Sequence, residues 1–148
     1  MQSIKFRSHL ITATCVILIL TFVYAAIVKG GDPVLFRNQM LQSPLLPSKL
    51  IYPLSIFVPA IEGAIVLLLF FEKTRAWGLL FSFGLMLTFT LYMSSLILFF
   101  GTNVPCACCG ILGQLGYTAH ILFNLVLAIL SLVGYFLINL HENKTFSI

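Results

Sequence analysis

Residues 76–100 read AWGLLFSFGLMLTFTLYMSSLILFF, an apolar run without one charged residue. A helix needs about 20 residues to cross the hydrocarbon core of a bilayer, and this run is long enough. Backbone groups cannot stay unpaired in lipid, so a helix is the conformation it must take. Three more runs of similar character lie at 9–28, 50–71 and 117–140. The composition agrees with them. Hydrophobic residues make up 60% of the chain and charged residues 8%, with mean hydropathy +1.09. A soluble domain carries about a quarter charged residues, so this chain has too few to cover a surface facing water. The expected fold is an all-α membrane protein, one bundle of four transmembrane helices over residues 1–148. No internal repeat or linker divides it.

The net charge of +4 is no nucleic-acid signal, because the positive charges sit in short loops between apolar runs. Lys5 and Arg7 precede the first run as they would in a signal peptide. That run is longer than a usual signal-peptide core, however, and no A-x-A site follows it. It is expected to be a retained helix. With four spans, both termini and the second loop share one side, which holds Lys5, Arg7, Lys73, Arg75 and Lys144. The other side holds Lys29, Arg37 and Lys49, all in the first loop. This bias places both termini in the cytoplasm and the third loop outside it. In the first outer loop, Asp32-Pro33 reads as an N-cap followed by proline at the first helical position. Val34, Leu35, Met40 and Leu41 interleave with Arg37, Asn38 and Gln39, which suits a short helix in the membrane interface.

Polar residues inside the runs are the next signal. Glu62 falls near the middle of the second run, where a charged side chain costs about 2.5–3.5 kcal/mol on insertion scales. It should therefore face the bundle interior, find a partner or be protonated. It reads equally as a proton-handling group and as a buried hydrogen-bonding group between helices. Ser55, Pro59 and Glu62 share a face, as do Gly84, Thr88, Tyr92 and Ser95 in the third run. His120, Asn124, Ala128, Ser131 and Tyr135 do the same in the fourth. For most of these positions close helix packing is the expected role. His120 and Asn124 differ, since they lie one and two turns into the last helix, just below the third loop. Cys15, deep in the first run, reads as a small buried apolar residue.

That third loop holds Cys106, Cys108 and Cys109, three of the four cysteines in the chain. Three chemistries use such density: thiol–disulfide exchange, a structural disulfide, and a thiolate site for copper or zinc. Zinc usually wants a fourth ligand and paired Cys-x-x-Cys units, and here only His120 is near. The extracytoplasmic compartment is oxidising and favours paired thiols. A structural disulfide ordinarily closes a long loop, whereas three thiols in four residues let a disulfide migrate by exchange. Exchange is therefore the leading reading. Cys106 and Cys109 would form a Cys-x-x-Cys ring; Cys106 and Cys108 would form a tighter, more strained one.

These residues resemble the MauE/DoxX-like redox-associated membrane proteins, in the compact form found in Bacteroidetes. The resemblance rests on Gln42-Ser43-Pro44-Leu45-Leu46, Val58-Pro59-Ala60-Ile61-Glu62, Lys73-Thr74-Arg75, Gly78-Leu79 and Thr88-Phe89-Thr90-Leu91-Tyr92. It is strongest over Val104-Pro105-Cys106-Ala107-Cys108-Cys109-Gly110, followed by His120 and Asn124. It implies a bundle in the bacterial inner membrane that exchanges disulfides with a thioredoxin-like or cysteine-rich periplasmic partner. Methylamine metabolism does not carry over with it. The candidate reacting residues are then Cys106, Cys108, Cys109 and His120, with Glu62, Asn124 and Tyr92 in support. Close relatives read Cys-x-Cys-Gly-Gly or Cys-x-Cys-Phe-Gly at the cluster, so Cys109 is a departure, and the partner of Cys106 stays open. Electrons would pass to or from a membrane carrier such as a quinone, although no recognised quinone motif is present. A non-catalytic membrane subunit of an envelope complex, its cysteines only a brace, is the competing class.

Overall fold

The computed structural model describes residues 2–101 and 116–145, with side-chain surroundings over 6–101 and 116–139. Cys106, Cys108 and Cys109 lie outside the described residues. Five helices follow in order: α1 Gln2–Gly31, α2 Pro33–Leu41, α3 Ser48–Phe70, α4 Arg75–Phe100 and α5 Tyr117–Thr145. Four of them contain stretches long and apolar enough to cross a membrane: Phe6–Gly31, Ser48–Phe70, Arg75–Phe100 and Tyr117–Asn139. No strand occurs among the described residues. Large apolar side chains such as Phe57, Leu67, Phe70, Leu98 and Phe99 stand exposed on the outside of the bundle. Lipid is the solvent that tolerates such a surface. The chain is a multi-pass membrane protein.

The core runs along the bundle axis through Leu18, Phe22, Ile65, Leu69, Leu79 and Leu127. Three hydroxyls within it are satisfied locally. Ser82, Thr90 and Ser131 donate to the carbonyls of Gly78, Met86 and Leu127, four residues back, at 2.7–2.8 Å. Such back-bonding lets a hydroxyl sit inside the bundle without a partner on another helix. Cys15 is buried, as expected.

Two local devices set the geometry. Asp32 caps α2, its carboxylate accepting from the Leu35 N–H at 2.9 Å, with proline next in line. This fulfils the N-cap reading of Asp32-Pro33. Phe36 and Met40 then pack on Ile51 of α3, at the end of the bundle where α1 finishes. At the opposite end α3 and α4 form a hairpin, in which the Thr74 hydroxyl donates to Leu68 O at 2.9 Å. A Cβ on Gly78 would lie 2.9 Å from Leu69 N, so glycine is what allows α4 to approach the α3 backbone there.

Candidate functional site

The first apolar run does not stop at Val28. Helix α1 continues to Gly31, and Lys29 inside it is only 5% exposed. Its expected place among the loop charges is therefore a mistake, because its side chain turns into the bundle instead of snorkelling out. The Lys29 ammonium donates to Glu62 Oε1, forming a buried ion pair between α1 and α3. Glu62 is fully buried, and its place one turn past Pro59 puts it on the α3 face that also buries Ser55. The expectation that Glu62 faces inward and finds a partner holds, and that partner is Lys29.

Aromatic rings wall the pair. Lys29 Nζ lies 5.1 Å from the ring centroid of Phe89 on α4 and 5.9 Å from that of Phe36 on α2. Both are within the range at which a cation is attracted to a ring face. Nearby, the hydroxyls of Tyr92 and Ser43 are 2.5 Å apart, tying α4 to the segment after α2. The N-terminal turns of α5 approach the same region. His120 is buried. Asn124 is buried as well, and its Nδ2 has no hydrogen-bond partner among the described residues. Glu62 Oε2 is likewise without one.

Lys29 from α1 and Glu62 from α3 thus form one polar centre in an otherwise apolar bundle, with Phe89 of α4 and Phe36 of α2 beside the ammonium. An ion pair in this setting needs good geometry and further hydrogen bonds to offset its desolvation.

The polar stripes divide. On α5, His120, Asn124, Ala128 and Ser131 are all buried, as close packing requires. On α4 the expected packing stripe holds only in part, since Tyr92 and Ser95 are half-buried but Gly84 and Thr88 are not. Gly78, Ser82, Met86, Thr90 and Met93 are buried there, whereas Gly84 and Thr88 are exposed. They line a trough between α3 and α4. Lys29 is the residue that the sequence reading missed. No local signal marked it, since a lysine at the end of an apolar run ordinarily reaches for the headgroups.

Among curated proteins and among solved structures, nothing matches the chain. A family model does, that of the methylamine utilisation protein MauE, over residues 7–137. The match takes in the greater part of all four spans, the polar centre and the segment carrying the three cysteines. The chain belongs to the MauE family.

Proposed function

We propose that this protein is an inner-membrane thiol–disulfide redox accessory protein, with both termini cytoplasmic and its cysteine segment facing the periplasm. Its partner is a thioredoxin-like or cysteine-rich periplasmic protein. A thiolate of one protein attacks the disulfide of the other, a mixed disulfide forms, and a second thiol resolves it. One dithiol becomes a disulfide as one disulfide becomes a dithiol, so atoms and electrons balance. Cys106 is the exchanging residue, and Cys108 or Cys109 resolves it. His120, one turn into α5 and hence close in sequence to the cluster, assists proton transfer at the thiol. Glu62, Tyr92 and Asn124 are supporting residues, and α2 lies in the membrane interface.

The observation that carries this reading is the placing of three cysteines within four residues, in the segment that leads directly into His120 and Asn124. Removing the resolving thiol should trap the intermediate. Cys108→Ala and Cys109→Ala chains, isolated from cells after acid quenching, are expected to carry a partner as a mixed disulfide that reductant releases. If neither variant traps a partner and Cys106→Ser cells behave as wild type, the exchange reading fails.

A further inference from the structure

With Lys29 turned inward, the first loop keeps two cations outside the bundle, Arg37 of α2 and Lys49 at the start of α3. The structure brings both to one aromatic ring. The Arg37 guanidinium carbon lies 4.8 Å from the ring centroid of Tyr52, the arrangement of a cation held over a ring face. Lys49 stands three residues before Tyr52 on α3, so the two share one side of that helix. Tyr52 is 61% exposed, Lys49 is exposed and Arg37 is half-buried. No carboxylate neutralises either cation. The ion pair found among the described residues is Lys29–Glu62, and Asp32, the one acidic residue of the loop, is engaged at the Leu35 N–H. Arg37 Nε is enclosed without an acceptor, which leaves the outer edge of the guanidinium for a group from outside the chain. Around these residues Val34, Leu35, Leu41 and Leu50 are exposed. The surface is therefore a cationic patch set in an apolar one.

We propose that Arg37, Tyr52 and Lys49 hold the head group of an anionic phospholipid, the guanidinium on its phosphodiester and the Lys49 ammonium beside it. Three features select that occupant. A guanidinium presents its N–H donors as a planar fork that matches two phosphate oxygens, and the Tyr52 ring already holds the plane, so little ordering is left to binding. Two cations without a facing carboxylate favour a lipid of net negative charge. A zwitterionic lipid would bring a cation of its own against them. The exposed apolar side chains of α2 and of the first turn of α3 decide between a lipid and a phosphate free in water. Acyl chains cover such residues, whereas a soluble anion would leave them bare. The α3 N-terminus, which has no side-chain cap, adds positive potential on the same side. The surface lies apart from the buried ion pair, and its role goes beyond thiol exchange: it fixes α2 and the start of α3 at the level of the headgroups.

The test is native mass spectrometry of the full-length chain released from nanodiscs of equal parts phosphatidylglycerol and phosphatidylcholine. The most tightly held lipid is expected to be phosphatidylglycerol. Arg37→Gln and Lys49→Gln should each lower its retention over phosphatidylcholine by about fivefold, the usual weight of one basic residue at an anionic membrane surface. Arg37→Lys keeps the charge without the planar fork and should lower it by about twofold or more. Lys73→Gln removes one charge at the α3–α4 hairpin instead and should leave retention as in wild type. Thermal melting followed by circular dichroism identifies a variant that has merely unfolded. Lys49 is exposed at the helix start, so Lys49→Gln decides if an Arg37 variant melts early. Wild-type retention in the Arg37→Gln, Lys49→Gln double variant overturns the proposal. An equal loss from Lys73→Gln also overturns it, because diffuse charge would then account for the binding. So does glycerol phosphate that strips the lipid, which would make the patch a site for soluble phosphate. Cys106→Ser should retain the lipid as wild type does, so the thiol reading and the lipid site fail separately.

Discussion

Lys29 and Glu62 form a buried ion pair among the described residues, and each offsets the charge of the other. Removing one partner of a buried pair leaves an uncompensated charge and costs about 3–5 kcal/mol. Lys29→Met alone should therefore lower the melting temperature in detergent sharply. The double replacement of Lys29 and Glu62 by methionine should restore most of the loss, since an apolar pair of similar volume is often neutral or better. A single variant that melts like wild type would show that the pair is solvated and not structural. The burial of Glu62 was legible in the sequence because a carboxylate in mid-span has no other refuge. Lys29 was not, because a lysine at the end of an apolar run ordinarily reaches for the headgroups. Only the approach of α2 and α4, with Phe36 and Phe89 against the ammonium, turns it inward.

At the scale of elements, the cap of α2 and the α3–α4 hairpin make separate predictions. Asp32→Ala removes the acceptor for the Leu35 N–H and should cost about 0.5–2 kcal/mol, read as a lower melting temperature. Gly78 and Gly84 sit six residues apart on α4 but differ in their surroundings. Gly78→Leu drives a side chain into the α3 backbone and should destabilise by about 1–3 kcal/mol, the usual range for overpacking. Gly84→Ala enters open space and should melt within about 0.5 kcal/mol of wild type. Equal effects from the two would contradict the close approach at Gly78. The sequence marked Gly84 and Thr88 as a packing stripe because small residues serve packing and open grooves alike. The tertiary arrangement puts Gly78 at the contact and Gly84 at the trough.

At the scale of the molecule, four apolar helices with a lipid-compatible exterior leave orientation as the question that governs function. Lys73 and Arg75 flank the α3–α4 hairpin, and the cysteine segment at the other end holds no Lys or Arg. A reporter that is active only outside the cytoplasm, fused after Asn103, should therefore be active, and one fused after Lys73 inactive. The reverse pattern would turn the cysteines to the reducing side and remove the setting that favours disulfides.

The sequence by itself determined the class, the four spans and the cap of α2, because these follow from local quantities: run length, hydropathy and the chemistry of Asp32-Pro33. Its boundaries for the second and third spans fall within two residues of α3 and α4. It also singled out Glu62, His120 and Asn124, since a polar group in an apolar helix is conspicuous whatever surrounds it. Tertiary structure decided the rest. It chose Lys29 as the partner of Glu62, set Phe36 and Phe89 beside the ammonium, and left Gly84 and Thr88 facing an open trough. Those outcomes depend on which helices lie side by side and at what height, and no helix contains that information alone.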